Sequence, residues 1–80
     1  MNSYTISKVA DNNKFREACD IIEKTIKDLK KSDILIDVDG SLLQKYSSQN
    51  GSIKVNNDYD VDAVYVDSEI NIPEFKDYKI

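Results

Sequence analysis

The amino-acid sequence predicts an α+β fold, a two-layer sandwich in which one amphipathic helix packs on a mostly antiparallel sheet of four or five strands. Three observations lead to this prediction. Helical periodicity occurs in one segment, residues 11–31; the flanking segments alternate polar and apolar residues or are rich in Val, Ile and Tyr; and both glycines lie where hairpin turns are expected. The elements follow in the order β-α-β-β-β-β. The 80 residues make a single domain, 1–80, whose tail at 73–80 either packs on the sheet through Phe75 and Tyr78 or frays.

The predicted helix, residues 11–31, carries one apolar stripe. One of residues 11–13 (Asp, Asn, Asn) can accept hydrogen bonds from the free N–H groups of the first turn. Lys27, Lys30 and Lys31 would face the negative C-terminal end of the helix dipole. The stripe that covers the sheet, at spacings of three and four, consists of Phe15, Ala18, Cys19, Ile22, Ile26 and Leu29.

Strands are predicted at 4–9, 34–38, 42–47, around Ile53 and Val55, and at 59–70. Asp39-Gly40 lies between the second and third of these strands and predicts a hairpin with a two-residue loop. That loop would pair Ile36 with Leu43. The face beneath the helix would then carry Ile34, Ile36, Val38 and Leu43.

The second turn, Gln-Asn-Gly at residues 49–51, allows two registers. A two-residue Asn-Gly loop would turn Ile53 and Val55 outward, whereas a three-residue loop with Gly51 in the left-handed conformation turns them toward the helix. We therefore expect the three-residue loop, because it makes the buried face continuous across three strands.

The composition excludes several classes of protein. The chain has one cysteine and no histidine, which excludes an internal disulfide and the usual Cys/His zinc sites. No stretch is apolar enough for a signal peptide or a membrane span, so we expect a cytoplasmic protein with no membrane partner. The net charge is −4, and no basic stripe is present outside the predicted helix end at Lys27, Lys30 and Lys31, so direct nucleic-acid binding is not expected. We also expect no cofactor. Ten Lys against one Arg, with ten Ile and seven Asn, is typical of an AT-rich bacterial or phage genome.

The stretch ILIDVDGSLL, residues 34–43, resembles the first motif of the haloacid-dehalogenase phosphatases. The resemblance implies that Asp37 is a nucleophile and Asp39 a general acid/base that act with Mg²⁺ and with groups from later parallel strands. About forty residues follow the motif, too few for the parallel strands and crossover helices of that fold. A hairpin turn explains Asp39-Gly40 without catalysis, and we expect no enzyme.

The acidic residues after Asp58 match part of a calcium-binding pattern. Asp58, Asp60, Asp62 and Glu69 occupy positions 1, 3, 5 and 12 of an EF-hand loop. Position 6, which must be glycine, is Ala63, and the Val and Tyr residues around it favour a strand. We therefore expect no metal site here.

In a strand, Asp58, Asp60 and Asp62 would form a row of like charges on one face, extended by Asp67 and Glu69. Such a row either protects a sheet edge from aggregation or faces a basic partner. These five residues are the predicted partner-binding site.

Two classes of function agree with these features. The first is a small non-catalytic binding protein that presents the acidic strand to a basic protein surface, as antitoxins, immunity proteins and phage inhibitors do. Short stretches at 20–24 and 32–36 are similar to the phage inhibitor of uracil-DNA glycosylase, and this local similarity implies no residue roles. The alternative is a self-associating accessory protein that dimerises through an apolar outer sheet face formed by Leu35, Leu42 and Tyr46.

Overall fold

A computed structural model of the chain describes residues 2–76. Its elements are β1 (Asn2–Ser7), α1 (Asn12–Thr25), β2 (Lys30–Lys31), β3 (Leu35–Ile36), β4 (Leu42–Ser48), β5 (Gly51–Asp58), β6 (Ala63–Ser68) and α2 (Pro73–Lys76). The predicted α+β class and the order of one strand, one main helix and then the remaining strands are confirmed. The short strand β2 and the one-turn helix α2 are additional to the prediction.

One sheet contains all the described strands, in the order β1-β6-β5-β4-β2, and β3 also pairs with β4. Each pairing is antiparallel. Helix α1 packs on one face, over β1, β5 and β6. The core between the two layers consists of Ile6, Phe15, Ala18, Cys19, Ile22, Tyr46, Ile53, Val55, Val64, Val66, Ile72 and Phe75.

Helix α1 begins where the sequence predicts and ends earlier. The Asp11 carboxylate accepts hydrogen bonds from the N–H groups of Asn13 and Lys14 at 2.8 and 3.2 Å, so Asp11 is the N-cap. The helix ends at Thr25 rather than at residue 31. Its predicted last turn is wrong because Lys30 and Lys31 instead form β2, which satisfies backbone groups along the edge of β4.

The β3–β4 hairpin differs from the predicted two-residue loop. Asp37 N–H donates to the Ser41 carbonyl at 2.9 Å and Gly40 N–H to the Asp37 carbonyl at 3.0 Å, which makes a three-residue loop. Gly40, at φ +88°, is the left-handed residue that this loop requires. Ile36 therefore pairs with Leu42 rather than Leu43.

The predicted burial of Ile34, Ile36 and Val38 is also wrong. All three side chains are exposed, Val38 completely, because α1 lies over β1, β5 and β6 and does not extend over β3. Leu43, predicted for the same buried face, points to the outer face and is half-buried.

The turn between β4 and β5 is a two-residue loop, Gln49-Asn50, and Ser48 pairs with Gly51. The predicted three-residue loop is therefore wrong in length. The predicted burial of Ile53 and Val55 is confirmed, but the predicted continuity of their face with Leu43 is wrong. Tyr46 pairs with Ile53 and shares its buried face.

The predicted outer apolar patch is therefore wrong in two of its three members. Tyr46 is buried in the core, and Leu42 packs against the core from the inner face. Only Leu35 lies on the outer side, where it pairs with Leu43.

The tail packs on the domain as far as it is described. Phe75 in α2 is buried, and its ring centroid lies 5.5 Å from that of Tyr4 in β1. The predicted packing of Phe75 is thus confirmed, whereas Tyr78 lies outside the described residues.

Candidate protein-binding site

Two loops lie side by side at one end of the sheet. The β3–β4 loop and the β5–β6 loop are joined by a hydrogen bond from the Tyr59 N–H to the Ser41 hydroxyl at 2.9 Å, and the Tyr59 ring lies against Gly40. We call residues 36–41 and 58–62 together the acidic end. It contains five aspartates, Asp37, Asp39, Asp58, Asp60 and Asp62.

In the β3–β4 loop, aspartate side chains accept hydrogen bonds from backbone N–H groups. The Asp39 carboxylate accepts from the Ser41 N–H at 2.9 Å, and Asp37 accepts from the Val38 N–H at 2.7 Å. The hydrogen bonds from Ser41, first from its backbone and then from its side chain, lower the pKa of Asp39. Asp39 is therefore ionised at neutral pH and is held by the turn.

The β5–β6 loop is built in the same way. Asp58 accepts from the N–H groups of Asp60 and Val61 at 2.9 and 3.3 Å, an arrangement that closes a turn directly after β5. Asp62 has φ +57°, a left-handed conformation that Asp tolerates, and its carboxylate accepts from the Ala10 N–H at 2.8 Å.

These hydrogen bonds overturn the predicted acidic strand. Strand β6 begins at Ala63 rather than at residue 59, so Asp60 and Asp62 lie in a loop and do not form a row with Asp58. The side chains of Asp58 and Asp62 bond the backbone instead of pointing along one sheet face. The three aspartates are still brought together, but by a turn.

The two other predicted partner-binding residues, Asp67 and Glu69, lie outside the two loops of the acidic end. Asp67 accepts from the Ser3 hydroxyl at 2.8 Å. Glu69 accepts from the N–H and the hydroxyl of Ser52, both at 2.8 Å, and these bonds lower its pKa. Ser52 is near the start of β5 and Asp58 is at its end, about 20 Å away along the strand. Glu69 therefore does not belong to the same surface as Asp58, whereas Asp67 lies on the same outer sheet face, four residues along β6 from Ala63, the cross-strand partner of Asp58.

Exposed apolar side chains lie between the aspartates. The exposed fractions of Ile36, Val38 and Val61 are 73, 103 and 62%, and that of Tyr59 is 44%. Beside them is an open groove of about 530 Å³, whose lining includes Asp37, Asp39, Asp58 and Asp60. The acidic end thus combines an apolar contact surface with carboxylates around a groove.

The charge of the chain is concentrated at this end. Segments 33–44 and 55–65 contain six aspartates and no basic residue, so the remaining residues carry +2 of the total −4. This shared lack of Lys and Arg is the sequence signal that could have linked the two loops. The local patterns do not join the two loops, because Asp39 and Asp58 are 19 residues apart in the sequence and belong to different hairpins.

The surroundings of the predicted chemical groups differ from those of the enzymes and metal sites considered above. Asp37 and Asp39 lie in a hairpin of an antiparallel sheet rather than after a parallel strand. Within residues 2–76, no three His, Cys, Asp or Glu side chains are grouped so that they could hold a metal ion. Cys19 is buried, and this burial raises the pKa of its thiol. Its assignment to the core is confirmed.

Comparison with protein-family models, curated protein sequences and solved structures finds no match to this chain. Neither described helix is long and apolar enough to cross a bilayer. Function has to be inferred from the residues of the chain itself.

Proposed function

We propose that this protein is a non-catalytic binding protein whose acidic end docks on a basic surface of a partner protein. One observation supports the proposal most strongly: five aspartates and four exposed apolar side chains occupy two adjoining loops that contain no basic residue. Carboxylates around an apolar centre are the arrangement expected at an interface with a cationic partner.

The apolar and charged groups would contribute differently to binding. Val38 and Val61 project from the loop tips, and their burial would supply affinity, at roughly 25 cal/mol for each Å² of apolar surface removed from water. The aspartates would attract the partner and orient it, and this contribution weakens as salt rises. The groove lined by Asp39 and Asp58 is suited to a lysine or arginine side chain from the partner.

The acidic end is held in place before any partner arrives. The loops are tied to each other through Tyr59 and Ser41, and the second loop is tied to the start of α1 through Asp62 and Ala10. A surface fixed in this way loses little conformational entropy on binding. Preorganisation supports a stoichiometric binding protein rather than a segment that folds on its target.

The structural hydrogen bonds that the aspartates make to the backbone support a non-catalytic role. Asp39 and Asp58 each accept a backbone hydrogen bond that shapes a turn, and Asp62 accepts the Ala10 N–H and so ties its loop to the segment before α1. The hairpin therefore explains the likeness of residues 34–43 to a phosphatase motif in structural terms. We propose a cytoplasmic role in a bacterium or its phage, as an antitoxin, an immunity protein or an inhibitor of an enzyme with a basic surface.

The proposal can be tested with two variants that remove the same number of charges. The acidic-end variant carries Asp39→Asn, Asp58→Asn, Asp60→Asn and Asp62→Asn; asparagine keeps the side-chain oxygen that the turns require. The control variant carries Asp20→Asn, Asp28→Asn, Glu69→Gln and Glu74→Gln, at exposed positions outside the acidic end.

The partner is first captured from a low-GC bacterial lysate with the wild-type protein, then purified and titrated against all three proteins by calorimetry. We expect the acidic-end variant to bind at least about tenfold more weakly and the control to bind within about threefold of wild type. Equal loss in both variants, or loss in the control alone, would show that the acidic end is not the binding surface.

A further inference from the structure

A second charged surface lies on the sheet face opposite α1. Lys30, Lys45 and Lys54 line a groove of about 450 Å³ that runs over β2, β4 and β5, with Ser47 and Ser52 between them. All three lysines are exposed, and within residues 2–76 no acidic residue lines this groove. A fourth lysine, Lys31, also lines it but pairs with Glu23 at 3.2 Å. We call it the lysine groove.

The charges of the lysine groove are poorly compensated within the molecule. Lys45 lies directly opposite Lys54 in the β4–β5 pairing, where like charges are unfavourable. Within residues 2–76, none of the three lysines has a carboxylate at ion-pair distance. The cross-strand neighbour of Lys54 is Asp67, whose carboxylate accepts the Ser3 hydroxyl. The groove is therefore available to an anionic group from outside.

The acidic end of the same copy cannot fill this groove. Asp58 and Lys54 lie on the same side of β5 but four residues apart, which is about 13 Å in a strand and too far for an ion pair. The β5–β6 loop continues beyond Asp58 from that end of β5, and the β3–β4 loop lies beside it. A second copy can bring the two surfaces together.

We propose that the acidic end of one copy docks in the lysine groove of the next, so that this chain is one of its own partners. The proposal rests on the proposed function in taking the acidic end as an interaction surface. The charge complementarity is contained in the chain: carboxylates around Val38 and Val61 on one surface, ammonium groups around two serines on the other.

Such a contact joins two different surfaces, so each end of a growing assembly still offers one of them. It produces rings or open chains rather than a closed symmetric dimer. An interface of ordinary size takes about 800 Å² from each partner, roughly 15% of the 5171 Å² surface of this copy. The acidic end has 11 residues, whereas an ordinary interface has roughly 20–30 on each side, so we expect the association to be weak, reversible and dependent on salt.

The experiment uses sedimentation velocity of the full chain at rising concentration in about 20 mM and about 300 mM salt. The groove variant carries Lys30→Gln, Lys45→Gln and Lys54→Gln; the acidic-end variant is the one defined above. A matched control carries Lys8→Gln, Lys24→Gln and Lys27→Gln on other exposed positions. Circular dichroism and thermal melts establish that each variant folds.

We expect wild type and the lysine control to sediment faster as concentration rises at low salt, and as monomers at high salt. Each of the two interface variants alone should remain monomeric. Their equimolar mixture should form a complex of two chains that grows no further, because only one intact acidic end and one intact groove can meet.

A monomeric wild type at about 1 mM in low salt, or a mixture that stays monomeric, would overturn the proposal. Binding of a fluorescent single-stranded oligonucleotide that the groove variant alone loses would also overturn it and would assign the groove to nucleic acid. The groove variant should still capture the basic partner. Failure of self-association therefore leaves the proposed function standing, and loss of partner capture only in the acidic-end variant supports that function separately.

Discussion

The substitution Tyr46→Phe tests how the helix is fastened to the sheet. The buried Tyr46 hydroxyl donates to the Glu23 carboxylate at 2.6 Å, and Lys31 lies 3.2 Å from the same carboxylate oxygen. A hydrogen bond to a charged group contributes about 1.5–3 kcal/mol when buried. Because the Glu23 side chain is 39% exposed, water weakens the bond, and we expect a loss of about 1–2 kcal/mol in the free energy of unfolding.

The loss should depend on pH. The Tyr46 hydrogen bond, and after it Lys31, lowers the pKa of Glu23 below its ordinary value of 4.5. A carboxylate with a lowered folded-state pKa stabilises the protein above its unfolded-state pKa, and this stabilisation is lost as pH falls through the folded-state pKa. The difference between wild type and Tyr46→Phe should therefore be complete at pH 7 and shrink below about pH 4.5.

Urea unfolding at pH 7 and at pH 3 measures the size of the loss and its dependence on pH. In a separate thermal melt at pH 7, the melting temperature of the variant should be roughly 5–15 °C lower than that of wild type. Tyr65→Phe is the matched control, because its hydroxyl lies 3.5 Å from the Asp58 carboxylate and should contribute under about 0.5 kcal/mol. A loss for Tyr46→Phe that is the same at both pH values would refute the assignment to Glu23.

Three further outcomes are expected. Asn57→Leu should lower the free energy of unfolding by about 2–3 kcal/mol in urea titrations, because the buried Asn57 side chain accepts a hydrogen bond from the Asp11 N–H at 3.0 Å. The control Asn56→Leu should change it by less than about 0.5 kcal/mol. Equal effects of the two substitutions would contradict a structural role for the Asn57 hydrogen bond. Gly51→Ala should cost about 2 kcal/mol by thermal melting, because its Cβ would lie 2.7 Å from the Cβ of Glu69; a neutral result would argue against this contact. Cys19 should react with a thiol reagent at least about a hundredfold more slowly in the native protein than in urea, and equal rates would show that it is not buried.

The layers of the fold could be predicted because each depends on local patterns. The spacing of Phe15, Ala18, Cys19 and Ile22 defines one helix face whatever the rest of the chain does, and these four are buried. The helix end could not be predicted in the same way. Lys30 and Lys31 form β2 rather than the last helical turn because their backbone pairs with the edge of β4, and this tertiary contact cannot be read from the helical spacing.

Strand register was the main source of error. Asp-Gly and Asn-Gly pairs indicate turns, but loop length decides which face each residue takes, and one residue reverses the outcome. At Gly40 the loop has three residues instead of two; at Gly51 it has two instead of three. The first error placed Leu43 on the buried face and Tyr46 on the outer face, and the second error offset it, so that Ile53 and Val55 were still predicted to face the helix.

The sequence predicts some of the residues of the candidate site but neither their loop conformation nor the pairing of the two loops. The cluster Asp58, Asp60 and Asp62 could be identified from composition, but its loop could not, because a strand and a turn closed by Asp58 both suit this spacing. The pairing of this loop with Asp39 depends on the long-range bond between Tyr59 and Ser41. No local pattern contains that contact.

The central claim is that the acidic end contacts the partner, and site-specific photo-crosslinking tests it most directly. A benzophenone amino acid is placed at Val38 or Val61 in the acidic end and, as a control, at the exposed Lys24 on α1. We expect the captured partner to be cross-linked from Val38 and Val61 and not from Lys24. Cross-linking from Lys24 with none from either valine would contradict it.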